Sequence, residues 1–256
     1  MELYYRSMGE GQPVIILHGV FGTSDNLQTF GKQLADQYQV FLVDQRNHGA
    51  SPHSDEFNYE VMAEDLHEFI KEHKLEKPVI LGHSMGGKVA MFFATKHSEL
   101  LDKLVVVDIS PRAYPVHHQQ ILQALSAVKI DEISSRKEAE EQMKPYIADF
   151  GVRQFLLKNL KRSDDNKSFA WKLNLSVIKE NIERIGEGIE EGKFKVDKPA
   201  LFVRGAKSDY IKKEDEKLIK SIFPLAKIIT IENAGHWIHA EQPEELLKEV
   251  SEFLET

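Results

Sequence analysis

Six short apolar runs, separated by amphipathic stretches, constrain the fold more than any other feature of this sequence. Val14 to Leu17, Val40 to Val43, Val79 to Leu81, Leu104 to Val107, Leu201 to Val203 and Ile228 to Ile231 are mostly β-branched and too short for helices, so they read as strands. The stretches between and after them, Asn26 to Tyr38, Tyr59 to Leu75, Gly87 to Leu100, Asp215 to Phe223 and Pro243 to Glu255, carry helical periodicity. In the second of these, Val61, Leu66, Phe69 and Ile70 fall on one face, with Glu60, Glu64, Glu68, Lys71 and Glu72 turned mainly to the other. Such alternation predicts an α/β fold: a mostly parallel sheet with helices on both faces. Gly9-Glu10-Gly11 reads as a tight turn joining Leu3-Tyr4-Tyr5 to Val14, which predicts an antiparallel first strand.

One stretch breaks the alternation. From Pro111 to about Lys198 the pattern is helical, over Gln119 to Val128, Ser135 to Phe150, Arg153 to Leu160 and Phe169 to Glu187, with Lys161-Arg162-Ser163-Asp164-Asp165-Asn166 as a polar loop. An all-helical insert between two strands is expected to sit as a cap over the strand C-terminal ends, where ligands bind in such sheets. Residues 1–110 and 199–256 are therefore expected to form the core, and 111–198 a helical cap inserted after the sixth strand. A chain of 256 residues is near the upper size for one hydrophobic core, which fits one domain with an insertion.

The chemistry begins at Gly82-His83-Ser84-Met85-Gly86, between the strand Val79 to Leu81 and a helix. A serine with glycine at both second neighbours, on a strand-to-helix turn, reads as a nucleophile elbow. The turn leaves no room for side chains at the flanking positions, and the helix that follows aims free N–H groups at the reacting centre. Serine needs a base and an acid to orient that base. His236, in Asn233-Ala234-Gly235-His236-Trp237 after the last strand, sits at the same sheet edge and late in the chain. His239 could pack or bond beside it, while His83 is expected to point away from the serine and to be structural. His53, His67, His73, His97, His117 and His118 lie in polar surroundings. The run Leu17-His18-Gly19-Val20-Phe21-Gly22 ends a strand in a loop whose backbone can approach a bound oxygen, so the expected oxyanion donors are the N–H groups of Met85 and Val20, with Phe21 as a shifted alternative. Two aspartates compete for the acid: Asp108 closes the strand Leu104 to Val107, and Asp209 follows Leu201 to Val203 in a polar loop, where an aspartate is more often a solvated turn residue.

Composition narrows the partners. A net charge of −8 with no basic arm disfavours nucleic acid and anionic membranes. With no cysteine there is no disulfide, thiolate metal site or cysteine nucleophile, which fits a reducing, cytoplasmic setting. Nothing reads as a signal peptide or a membrane span.

Together these residues resemble the α/β-hydrolase superfamily, and within it the small YbfF-type carboxylesterases. The similarity runs through Leu17 to Gly22, Val43-Asp44-Gln45-Arg46-Asn47-His48-Gly49-Ala50-Ser51, Gly82 to Lys88, Val107-Asp108-Ile109-Ser110-Pro111 and Ala234 to Ala240, with Phe169 to Leu175 as its trace in the cap. In the superfamily at large the acid falls three residues after the glycine that ends the penultimate strand; counted from Gly205 that place holds Ser208. The YbfF-type branch is similar in carrying a serine there, which favours Asp108 as acid and makes Ser208 an extra hydrogen-bond partner of His236, with Asp209 as the alternative. The resemblance implies a serine carboxylic-ester hydrolase for small to medium acyl esters, working through an acyl-enzyme with no metal or organic cofactor, as a monomer or weak homo-oligomer. It assigns Asp44, Arg46 and His48 to holding the loop beside the oxyanion hole. An acyl-CoA thioesterase would use the same triad, with Lys158, Lys161, Arg162, Lys167 and Lys172 as a basic patch for phosphates; a non-catalytic ligand-binding protein would keep the fold alone.

Overall fold

The computed structural model describes residues 1–115, 118–163 and 168–256. His117, Lys167 and the end of the expected polar loop, 164–166, lie outside the described residues. Seven strands form the main sheet: β1 (Tyr5–Met8), β2 (Pro13–Leu17), β3 (Gln39–Val43), β4 (Val79–His83), β5 (Leu104–Val107), β8 (Ala200–Gly205) and β9 (Ala226–Ile231), in the spatial order β1-β3-β2-β4-β5-β8-β9. All neighbours are parallel except β1, which is antiparallel as expected but pairs with β3, Tyr5 opposite Val43, and not with β2 across the glycine turn. The β2 strand is already flanked by β3 and β4, so the edge open to β1 is that of β3.

Strand alternation sends the two sets of side chains to two cores. Val14, Ile16, Val40, Leu42, Leu81, Val105 and Val203 pack on one face against Phe30 and Leu34 of α1 (Gln28–Leu34) and Leu246 and Val250 of α10 (Pro243–Leu254), which follows the single turn α9 (Ile238–Glu241). Ile15, Leu17, Phe41, Ile80, Val106 and Phe202 pack on the other with α2 (Tyr59–Glu72), α3 (Met85–His97) and α8 (Asp215–Ile222). On α2 the buried stripe is Met62, Ala63, Leu66, Phe69 and Ile70, while Val61 is only half-buried.

Register brings the strand ends to a common height. Leu17 stands opposite Gly82, His83 opposite Val107, and Val107 opposite Val203, so the loops after β2, β4, β5 and β8 emerge at one level. Because the chain passes from β2 to β3 on one side and then to β4 on the other, the loops after β2 and β4 diverge and leave a crevice between them.

The insertion follows the fifth strand, not the sixth: Leu104–Val107 is β5 in chain order, and the next strand of the main sheet, β8, comes only after the insertion. It is also not all helical. After α4 (Gln119–Ala127), α5 (Arg136–Met143) and α6 (Phe150–Leu157) comes a hairpin of β6 (Leu160–Arg162) and β7 (Phe169–Trp171), then α7 (Leu175–Glu180) and a 3-10 turn, Ile182–Gly186. The hairpin interrupts both expected helices around it. Ser163 and Ser168 close it by backbone and hydroxyl hydrogen bonds, the local competition with helix that serine offers.

Candidate active site

Ser84 closes β4 with φ 53° and ψ −119°, a left-handed conformation that costs a non-glycine residue about 1–3 kcal/mol. The surroundings hold it there: its N–H donates to the Val107 carbonyl at 3.0 Å and its carbonyl accepts from Lys88 N–H at 3.1 Å. The two flanking glycines are required by contact, since a Cβ on Gly82 would run into the Gly86 carbonyl and one on Gly86 into the Leu17 carbonyl.

His236, in the loop after β9, reaches Ser84 Oγ with Nε2 at 3.1 Å and Asp108 Oδ2 with Nδ1 at 2.8 Å. A carboxylate can only accept, so Nδ1 carries the proton and Nε2 presents its lone pair to the serine hydroxyl. The Asp108 carboxylate is 0% exposed. Its Oδ1 accepts from Gly205 N–H at 3.0 Å, and its Oδ2 also accepts from the Ser208 hydroxyl. Ser208 therefore bonds to Asp108 and not, as expected, to His236: with Nε2 and Nδ1 both engaged, the imidazole has no nitrogen left for it. Asp209 is not brought to the site. Its side chain is 96% exposed and faces Lys212 at 3.8 Å.

Val20 and Met85 line a small cavity together with Ser84, and neither backbone N–H has an acceptor among the described residues. Phe21, the shifted alternative, spends its N–H on His48 Nε2 at 3.4 Å, and its carbonyl accepts from Asn159 of the insertion at 2.7 Å. The loop behind these donors is held as the resemblance implied. Asp44 accepts from Ser24 N–H at 2.7 Å and Ala50 N–H at 2.8 Å. Arg46 grips Asp65 of α2 at 2.5 and 2.8 Å. His18 and His48 each accept a backbone N–H on Nε2, from Gln45 and Phe21, so each donates from Nδ1 to a carbonyl. Burial keeps both neutral; burial and the neighbouring His18 push His48 down to about 3.

His83 is not turned away from the site. Its Nε2 lies 2.8 Å from the His236 carbonyl and its ring sits between those of His236 and His239, at 4.8 Å from each. Burial, then His236 and His239, hold its pKa well below the ordinary value, so it donates as a neutral ring that anchors the His236 loop. His239 is pushed down to about 4 by burial, His236 and Lys158. Tyr210 stacks its ring on the His236 imidazole at 4.0 Å and 23°, and its carbonyl accepts from the Tyr114 hydroxyl. Nothing in the spacing of a loop tyrosine announces that contact.

A cavity of about 160 Å³ opens beside Ser84 and His236, walled by Val20 and Leu27 from the core, Ile121 and Phe155 from the insertion, and Trp237 and His239. Phe155 and Trp237 meet across it with ring centres 5.6 Å apart. Of the expected basic patch, Lys158 lies near enough to lower the pKa of His239 in the cavity wall, whereas Lys172 faces Asp25 at 3.4 Å and Arg162 lies over Phe169 and donates to the Ser134 carbonyl. Among the described residues, Glu64, His67 and His97 on α2 and α3 are the group able to approach a metal ion. The two imidazoles stack at 4.1 Å and 11°, which runs their in-plane lone pairs side by side and not toward one point.

Comparison with known proteins agrees with this fold. A family model described as the alpha/beta hydrolase fold matches residues 12–131. The chain is 35% identical to esterase YbfF of Escherichia coli, covering 94% of this chain and 92% of that one. It is 38% identical to an sn-1-specific diacylglycerol lipase of Danio rerio, covering 96% and 80%. A solved marine microorganism esterase superposes with a TM-score of 0.95 at 47% identity, covering 98% of this chain and 99% of that one.

Proposed function

The chain belongs to the α/β-hydrolase family and is a carboxylesterase-type hydrolase, and we propose that it cleaves small to medium acyl esters with Ser84 as nucleophile, through an acyl-enzyme. The observation that carries this reading is the continuous hydrogen-bonded line from Ser84 through His236 to Asp108, at 3.1 and 2.8 Å.

Ser84 Oγ attacks the ester carbonyl carbon as its proton passes to His236 Nε2. The imidazolium formed lies against the Asp108 carboxylate, which also accepts from the Gly205 N–H and the Ser208 hydroxyl. The negative charge develops on the former carbonyl oxygen, at the N-terminus of α3, where the Met85 and Val20 N–H groups await an acceptor. A well-aimed donor of this kind contributes about 3–4 kcal/mol to the transition state. Collapse of the tetrahedral intermediate breaks the bond to the alcohol oxygen, which takes the proton from His236. Water then enters, gives its proton to His236 and attacks the acyl-Ser84 carbonyl, releasing the acid and regenerating the serine.

In this reading 111–198 is the cap, and its Ile121 and Phe155 form the wall against which the substrate's apolar part packs. Among the described residues no helix is long and apolar enough to cross a membrane, and the absence of cysteine suits the cytoplasm. The test is a panel of p-nitrophenyl esters and acyl-CoA thioesters on the wild type and on Ser84→Ala, with intact mass of the enzyme during turnover. Ester hydrolysis, an acyl adduct on the wild type and loss of both in Ser84→Ala are expected; full activity in Ser84→Ala would sink the mechanism, and thioester preference would redirect the substrate class.

A further inference from the structure

Lys88 is 0% exposed, and among the described residues no carboxylate meets its ammonium. It lies on α3, four residues after Ser84, and Nζ donates to three backbone carbonyls: Pro111 at 3.1 Å, Arg112 at 2.6 Å and Glu187 at 2.7 Å. An ammonium has three protons, and here each finds an acceptor. Pro111 and Arg112 belong to the segment by which the chain leaves the core for the insertion; Glu187 belongs to the segment by which it returns. These two segments also bind each other, Tyr114 N–H to the Gly186 carbonyl and Ile189 N–H to the Pro111 carbonyl, both at 2.8 Å. They pack so closely that a Cβ on Gly188 would stand 2.5 Å from Ala113 N. The result is a two-stranded neck with one buried amino group under it, its pKa pushed down to about 7 by burial and the Arg112 guanidinium.

Burying a charge costs several kcal/mol unless its hydrogen bonds are satisfied, and a methionine would fill the same space without that cost. What the ammonium adds is a fixed geometry. The Lys88 N–H bonds to the Ser84 carbonyl, so the group that grips the neck rides on the same helical turn that sets the nucleophile. Just beyond the neck, His118 and Ile121 reach the wall of the substrate cavity.

We propose that Lys88 is a positioning residue that sets the size selectivity of the site, by clamping both segments of the neck to the elbow helix and so fixing the height of the insertion above Ser84. The inference rests on the ester-hydrolase reading. Loss of the clamp takes the Lys88 donor from the Arg112 and Glu187 carbonyls, leaves the Pro111 carbonyl with the Ile189 N–H alone, and lets the insertion ride higher, which weakens the grip on a short acyl chain and admits a longer one.

The experiment is Lys88→Met in the full chain, assayed with p-nitrophenyl esters from acetate to decanoate, with hydrogen exchange read at 111–114 and 186–189. The expected result is a KM for the butyrate ester raised about tenfold, kcat within about threefold, and a decanoate-to-butyrate ratio of kcat/KM raised about tenfold. Exchange should speed up in both neck segments. A residue that served only stability would reduce the amount of active enzyme and scale kcat, leaving KM and the chain-length ratio where they were. An unchanged ratio with unchanged neck exchange overturns the proposal. If Lys88→Met does not fold, Gly188→Ala presses on the neck at Ala113 and is expected to move the same ratio and the same exchange in the same direction; no movement there overturns it equally. The exchange readout needs no turnover, so a wild type that hydrolyses no ester would defeat the ester-hydrolase reading and leave the clamp itself separately tested.

Discussion

The sheet edge and the insertion build the two halves of one cavity by different means. At the sheet edge, backbone and buried polar groups hold each functional atom from several directions: Asp108 has donors from His236, Gly205 and Ser208, and Ser84 is fixed by Val107 and Lys88. The insertion supplies apolar side chains, Ile121 and Phe155, from short helices, and α5 buries only Ala139 and Met143. In the proposed function this difference becomes a division of labour: the edge would hold the reacting groups, which tolerate almost no displacement, and the cavity-facing side chains of the insertion would set what fits.

The largest expected effect falls on the edge. Asp108→Asn should lower kcat about 10⁴-fold, because the amide reverses the hydrogen bond that sets the His236 tautomer. Asp209→Asn should stay within about twofold, since its side chain is in solvent. The reverse pattern would move the acid to the loop after β8 and break the comparison at its root. Next comes acid. His48 and His239 have folded pKa values of about 3 and about 4, and His83 is lowered as well, against an ordinary value of 6.5. Between those folded values and 6.5 the unfolded chain binds more protons, so stability is full above about pH 6.5 and falls as pH drops toward 3. From His48 alone the loss is on the order of 3 kcal/mol by pH 4. Urea titrations from pH 7 to pH 4 should show it, and His48→Gln should flatten the slope; an unchanged slope would mean that the loop after β2 is not held by neutral imidazole.

These histidines also mark where sequence reading stops. Strand positions, the tight turn at Ser84, and the placing of His236 and of the loop after β2 at the same sheet edge are legible because periodicity and close-packed glycines leave a local trace. Choosing between Asp108 and Asp209 needs the family resemblance, since both follow strands at the same edge; the structure separates them by burial. Ser208 stands out in the sequence but with the wrong partner, because one residue's reach depends on which imidazole nitrogens are already engaged. Strand alternation points His83 outward, yet β4 ends there and the turn redirects it. The β6–β7 hairpin is invisible because three-residue strands carry no periodicity, and the Tyr210 stack joins two loops that the sequence keeps apart.

On the insertion side effects should be smaller and should appear in selectivity. Phe155→Ala removes one side of the Phe155–Trp237 contact, so KM for short-chain esters should rise about tenfold with little change in kcat. A large fall in kcat would place the insertion inside the reacting geometry and erase the division.

The smallest expected effect decides what attaches the insertion to the rest. Lys172, just after β7, faces Asp25 at 3.4 Å, with side chains 27% and 32% exposed, and Asp25 already has Arg6 at 2.6 Å. An exposed pair of this kind contributes about 0–1 kcal/mol, less in salt. The buried ties are of another sort: Asn159 Nδ2 to the Phe21 carbonyl at 2.7 Å, and Asn174 N–H to the Asn47 carbonyl at 2.9 Å, reaching the loops after β2 and β3. Lys172→Ala should therefore leave KM within about twofold, and about 0.5 M NaCl should do the same to the wild type. If either raised KM tenfold, surface charge would be holding the insertion in position, and the buried carbonyl contacts at the neck and at Asn159 would be secondary to it.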